Sequence, residues 1–121
     1  MNKRATGNAW EQQAAEYLEE RGMRIRERNF RSRQGEIDLI GCHNGYLVFV
    51  EVKYRSGREM GCAAEAVDQR KQRRICRTAD FYRQLHGLGE STAVRYDVVA
   101  VQEGETEWFQ NAFPHIYTRR N

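Results

Sequence analysis

The sequence predicts an α/β fold, a central sheet with helices packed against it, in the order α-β-β-β-α-β-β. Three features carry that prediction. Helical apolar spacing runs over residues 9–21 and again over 64–85. Two β-rich runs, 36–42 and 46–54, flank His43-Asn44-Gly45, and Asn-Gly is the strongest short hairpin signal. An apolar run over 94–101 reads as a buried strand. The chain has 121 residues and no repeat, low-complexity tract or linker-like composition. One domain over 1–121 is expected, with a short tail over 114–121 that begins at the single proline, Pro114.

In the first helix Asn8 is the candidate N-cap, and Gly22 is the candidate residue just past its end. Ala14, Ala15 and Leu18 form the apolar face, and Glu11, one turn earlier, shares it. Residues 23–30 interleave Met23, Ile25 and Phe30 with arginines, the pattern of a half-exposed edge strand. Residues 31–35 read as a polar turn, and 56–61 as a glycine-containing loop. The second helix carries a stripe of Val67, Ile75, Ala79 and Tyr82 into which Lys71 falls, and Gly87 can end it. Glu103-Gly104-Glu105 make a turn before a last short strand over 106–109.

The net charge of +3 is unevenly spread. Between Arg21 and Arg33 stand six arginines opposed only by Glu27, and Arg70, Lys71, Arg73, Arg74 and Arg77 form a second cluster. Either cluster alone reads as a solvated face. Two of them flanking an acidic motif point to a phosphate backbone as partner. The mean hydropathy is −0.87, and no apolar run approaches the roughly 20 residues of a membrane span. Met1-Asn2-Lys3-Arg4 leads into no apolar stretch, so neither a membrane nor a secretory signal is expected. Cys42, Cys62 and Cys76 are an odd set without CxxC spacing, read as free thiols in a reducing cytoplasm.

Strand geometry brings the acidic residues together. If Asn44 and Gly45 are the loop of a tight hairpin, His43 pairs with Tyr46, Asp38 falls opposite Glu51, and Glu36 falls opposite Lys53. Alternation then puts all four side chains on one face, with Ile40 and Phe49. Opposed carboxylates repel unless compensated. One reading is a cross-strand network in which Lys53 pairs with Glu36. The other is a site for a hard divalent cation, which takes a few carboxylate oxygens and keeps several waters. An apolar face argues for the second.

The segments Gly35-Glu36-Ile37-Asp38-Leu39-Ile40 and Val50-Glu51-Val52-Lys53-Tyr54-Arg55 resemble the PD-(D/E)xK nuclease signature, with Ile37 in place of the motif proline. The resemblance is closer to the YraN-like family of small, uncharacterised bacterial proteins. It runs from the first helix to Arg95-Tyr96-Asp97-Val98-Val99 and Asn111-Ala112-Phe113. The second segment is also similar to that of archaeal Holliday-junction resolvases. The resemblance implies a restriction-endonuclease-like three-layer core, a mixed sheet of about five strands flanked by helices. It implies Asp38 and Glu51 as ligands of Mg²⁺ or Mn²⁺ and Lys53 as the catalytic lysine. It makes Glu11 the first-helix carboxylate that reaches the metal, with a capping-box partner of Asn8 as the other reading. Lys71 becomes a second-helix residue aimed at the site, with Gln69 a weaker candidate and a snorkelling lysine the alternative.

Arg24, Arg26, Arg31, Arg33, Arg55, Arg73 and Arg74 are the candidate nucleic-acid contacts. His43, His86 and His115 read as structural or surface groups, and Asp97 as a buried partner of an arginine. Trp10, Trp108 and Phe109 read as core or interface residues. Three functions follow: a metal-dependent endonuclease acting on DNA, including branched or recombination intermediates; a non-catalytic nucleic-acid-binding module; and a protein-interaction subunit with Trp108 and Phe109 on an exposed apolar edge. A homodimer suits the first, because two sites match two strands. No glycine-rich phosphate loop supports nucleotide hydrolysis.

Overall fold

The computed structural model describes residues 3–55 and 67–117. Helix α1 spans Lys3–Glu20, then strands β1 (Arg24–Ser32), β2 (Gly35–His43) and β3 (Tyr46–Tyr54) follow. Helix α2 (Gln69–Leu85) leads to β4 (Val94–Gln102) and β5 (Glu105–Phe109). The α-β-β-β-α-β-β order is therefore as expected. The strands form one sheet in the order β1-β2-β3-β4-β5. Only β3 and β4 run parallel, joined through α2, so the sheet is mixed.

The β2–β3 hairpin turns where Asn-Gly requires it. Asn44 and Gly45 have φ of 51° and 83°, the left-handed pair that a tight hairpin needs and asparagine and glycine tolerate. His43 pairs with Tyr46 and Leu39 with Val50. β3 is buried on both faces, as a central strand with a parallel partner should be. Leu47 and Phe49 pack under α2 with Ile40, Ile75 and Tyr82. Val48 and Val50 pack under α1 with Ala14, Ala15 and Leu18. The sheet is thus the middle of three layers.

Several boundaries differ from expectation, each for a local reason. Helix α1 begins at Lys3, so Asn8 lies inside it and is no N-cap; the capping-box reading of Glu11 falls with it. Its end is as expected: Met23 N–H donates to Leu18 O (3.0 Å) and Gly22 N–H to Glu19 O (3.2 Å), closing a Schellman motif. Helix α2 begins at Gln69 because Asp68 caps it, its carboxylate accepting from Lys71 N–H at 2.9 Å. Val67 is buried ahead of the helix rather than in its stripe. The expected helical start at 64–66, the loop at 56–61 and Cys62 lie outside the described residues. The polar residues 31–35 are mostly strand: β1 runs to Ser32, β2 starts at Gly35, and Arg33-Gln34 alone turn the chain. An exposed Arg31–Glu36 ion pair (3.2 Å) spans the ladder at that extension. Cys42 and Cys76 are free thiols, as read. Among the described residues no helix is long and apolar enough to cross a membrane.

Gly41 lies where the chain leaving α1 crosses β2. A Cβ there would stand 2.7 Å from Arg24 O and 2.9 Å from the Met23 side chain. Met23 can move but the strand backbone cannot do so cheaply. Gly41→Ala is therefore expected to cost about 1–3 kcal/mol, read as a lowered urea midpoint; an unchanged midpoint would mean the two strands separate easily here.

Candidate active site at a fork in the sheet

The β2–β3 ladder stops at Leu39 and Val50. Beyond it the two strands part. The first half of β2 stays with β1, pairing Ile37 with Phe30 and Glu36 with Arg31. The second half of β3 stays with β4, from Glu51 against Val98 to Tyr54 against Val101. The expected pairing of Glu36 with Lys53 does not occur: Glu36 bonds Arg31, and Lys53 lies beside Ala100. β3 keeps its parallel ladder with β4 unbroken from Leu47 to Tyr54, on its other edge, and the irregularity lies with β1 and β2. There Asn29 adopts φ +54° between Arg28, paired with Leu39, and Phe30, paired with Ile37. Asp38 is left without a ladder partner on either side.

Its carboxylate fills the gap. Asp38 Oδ2 accepts from Val52 N–H at 2.8 Å, bridging the fork with a side chain where a backbone carbonyl would have served. Glu51, the first residue of β3 past the ladder's end, lies close enough to act on it directly. Asp38 is pushed up from the ordinary carboxylate range to about 8, first by burial, then by the Glu51 charge; the Val52 bond opposes the rise. The proximity drawn from the hairpin register thus survives, although the two residues sit at the ladder's exit rather than inside it.

Glu51 is 6% exposed, and its Oε2 lies 2.8 Å from Lys71 Nζ on the first turn of α2. Burial works to lower the Lys71 ammonium, but the bond to Glu51 and the fields of Asp38 and Glu36 outweigh it and hold Lys71 above its usual value. Lys71 is therefore turned into the fork rather than snorkelling away from it. Lys53, two residues past Glu51 and on the same side of β3 by alternation, is half-buried. Glu11 approaches from α1. Burial raises its carboxyl, an Asn29 hydrogen bond and the charges of Arg28 and Arg31 lower it, and its charge is felt at Asp38. Asn29 is the site residue that sequence reading missed. Its one signal was an asparagine inside an arginine-rich strand, a residue that tolerates a left-handed bend better than most others except glycine.

Among the described residues no three His, Cys, Asp or Glu side chains gather closely enough to hold a metal ion. The closest carboxylate pair of the fork is Asp38 and Glu51. Their mutual repulsion at a buried position fits a hard divalent cation, which needs one or two carboxylates and fills its remaining positions with water or phosphate oxygen. Beside the fork, Arg31, Glu36, Lys71 and Arg74 line a cleft of about 300 Å³. A larger cavity of about 870 Å³ lies between α2 and the C-terminal segment. Its Asp80 lies 3.3 Å from Arg83 and 3.5 Å from His115, so these polar groups satisfy one another.

Arg24, Arg26, Arg31, Arg33, Arg73 and Arg74 are exposed. Arg55 is not: its side chain is 14% exposed and its Nη2 bonds Glu107 on β5. Trp108 and Phe109 form no exposed apolar edge. Trp108 is half-buried against His43 and donates Nε1–H to Asp97, and Phe109 packs against the core. Trp10 stacks on Tyr54 at 4.6 Å. Asp97 is the buried partner of Arg95, as read, and His43 is buried beside that pair.

The residues that build the fork also lie inside the stretch shared with known proteins. The model of the uncharacterised protein family UPF0102 matches residues 10–101, from the α1 residue before Glu11 to the end of the β4 ladder. A UPF0102 protein of Lachnoclostridium phytofermentans is 50% identical, over 93% of this chain and 96% of its own length. One of Symbiobacterium thermophilum is 50% identical, over 91% of this chain and 97% of its own. One of Methylococcus capsulatus is 49% identical, over 88% and 89%. With matches of this extent across both helices and the forked sheet, the chain belongs to the uncharacterised protein family UPF0102.

Proposed function

We propose that the protein is a divalent-metal-dependent endonuclease that hydrolyses phosphodiester bonds in DNA, with branched or recombination intermediates as the first substrates to try. The observation that carries this reading is the placement of Asp38 and Glu51 at the fork, where burial and mutual repulsion push the Asp38 carboxyl to about 8. A purely structural strand would gain by replacing either residue with an apolar one. Asp38 and Glu51 would hold Mg²⁺ or Mn²⁺, with Glu11 as the carboxylate nearest to joining them. The ion would polarise the phosphate and acidify a bound water. Lys53 orients the attacking water or steadies charge developing on the phosphate. Lys71, held against Glu51, fixes that carboxylate's position.

The start of α2 supports a phosphate partner. Arg70, Lys71, Arg73 and Arg74 crowd the end of the helix where the macrodipole is already positive, and the Asp68 cap and Glu51 are the carboxylates set against them. Cations there cost the helix stability, and an anion offsets that cost. The reading places the protein in the cytoplasm, where free Cys42 and Cys76 stay reduced, and it allows a homodimer.

Pure protein incubated with linear, nicked and four-way DNA plus Mn²⁺ is expected to cut at least one of them, and Asp38→Ala to lose that activity. Equal cutting by both proteins would identify a contaminant. No cutting of any substrate, with binding retained in Asp38→Ala, would favour a non-catalytic binding module on the same fold.

A further inference from the structure

We infer that the edge strand β1 is a track for the sugar-phosphate backbone of a DNA duplex, running from the cleft beside the fork to Arg24. The inference rests on the proposed function for the kind of partner and goes beyond it in fixing where, and over what length, the partner lies. β1 is an outermost strand of the sheet, and Arg24, Arg26, Arg31 and Arg33 stand exposed along it and its turn.

Edge strands often carry charges simply to block pairing with other chains. That explanation does not require the two edges to differ in sign, and in this sheet they do. The β1 edge is arginine-rich with Glu27 its one acidic residue, whereas β5 carries Glu105 and Glu107 and no cation. The basic edge is the one that meets the site. Arg31, paired with Glu36, lines the cleft together with Lys71 and Arg74, so cations outnumber the one carboxylate there, and Lys71 reaches Glu51. The track therefore has a direction: its Arg31 end abuts the carboxylates and its Arg24 end lies away from them. From Arg24 to Ser32 the strand covers at most about 26 Å at the usual rise, most of the roughly 34 Å of one duplex turn.

The chemistry on the track reads phosphates rather than bases. The only aromatic residue of β1, Phe30, is 8% exposed and packs under α2. A single strand would want a stacking platform, whereas a duplex offers phosphates at a regular spacing. The strand's register shift between Ile25 and Glu27 and the bend at Asn29 change which face successive residues address. They leave Arg26 within reach of Tyr82 on the α2 side and Arg28 bonded to Gln12 on the α1 side. The track thus consists of Arg24 and Arg26 at the far end and Arg31 and Arg33 at the near end.

The test is binding in the presence of a chelator, so that hydrolysis plays no part. Wild-type protein and Arg24→Gln/Arg26→Gln are titrated with duplexes of about 6 and about 24 base pairs, lengths that bracket one turn. Both changes are on exposed side chains and leave the core intact. On the long duplex the double variant is expected to bind roughly tenfold more weakly, with a salt slope shallower by about 2. On the short duplex, seated at the Arg31 end, the two proteins are expected to bind alike. Equal losses on both duplexes, or no loss on either, would overturn the track. So would salt-sensitive self-association that the variant abolishes and DNA does not compete with, since the basic edge would then serve the acidic edge of a second copy. A protein that shows the length-dependent loss yet never cuts DNA would refute the proposed activity and leave the track standing.

Discussion

Asp97→Ala is expected to destabilise the protein by about 3–5 kcal/mol, the range for removing one partner of a buried ion pair. Asp97 is fully buried and accepts four hydrogen bonds. Arg95 donates Nε–H to Oδ1 and Nη2–H to Oδ2, both at 2.9 Å. Trp108 Nε1–H donates to Oδ2 at 2.8 Å and Asn111 N–H to Oδ1 at 2.9 Å. The carboxylate thereby ties β4 to β5 and to the turn that follows. Its loss strands a guanidinium that is 7% exposed, with His43 Nδ1 at 3.0 Å as its remaining close polar contact. Urea unfolding followed by tryptophan fluorescence reads the effect. Adding Arg95→Met to Asp97→Ala should recover part of the loss by removing the uncompensated charge. A cost below about 1 kcal/mol would show that water reaches the cluster freely.

Asp38→Asn is expected to do the opposite and stabilise the protein in a pH-dependent way. The folded-state Asp38 carboxyl titrates near 8 rather than at its usual 3.8. Between those values the folded chain keeps a proton that the unfolded chain releases, so wild-type stability falls as pH rises through that window. Asparagine carries no charge to bury and its amide oxygen can still accept from Val52 N–H. The gain should be near zero below pH 3.8 and grow to roughly 2 kcal/mol above pH 8. That is less than the full shift implies, because Asp38 is only partly shielded from water. Melting temperatures across this range would show it as a rise of about 8–10 °C at the alkaline end. A difference that stays flat with pH would mean Asp38 is ionised throughout. Stability gained by removing a site carboxylate is the usual sign that function, not folding, placed it there.

Much of the fold could be read from the sequence because its signals are local. Asn44-Gly45 dictates a two-residue turn whatever surrounds it, and the register from His43 to Leu39 follows by counting. The continuous apolar run of β3 and the two helical stripes set the layers. The fork could not be read this way. Where the β2–β3 ladder ends depends on which way each strand continues, and β3 runs on beside β4, which arrives from more than forty residues away. It depends equally on the left-handed bend at Asn29, which asparagine permits but does not require. Extending the count to Glu36 and Lys53 therefore failed while the meeting of Asp38 and Glu51 held. Arg55 looked like one more basic residue of the motif because its partner, Glu107, is remote in sequence. Asn8 looked like a cap because a helix start is read from a few residues, and this helix begins a turn and more earlier.

The parallel pairing of β3 with β4 also bears on how the chain folds. The β1–β2–β3 meander turns through two-residue loops, and contacts of that kind form early. Leu47 and Val94, by contrast, are some 47 residues apart in the chain, and their closure must bear a much larger loop entropy. Helix α2, with Lys71, lies within that loop. Asp38 and Glu51 therefore lack the Lys71 ammonium that pairs with Glu51 until that helix docks, and have only Lys53 of their own meander beside them. Until then the hairpin gains by leaving its splayed ends open to water, and burial of the acidic centre coincides with arrival of its counter-charge.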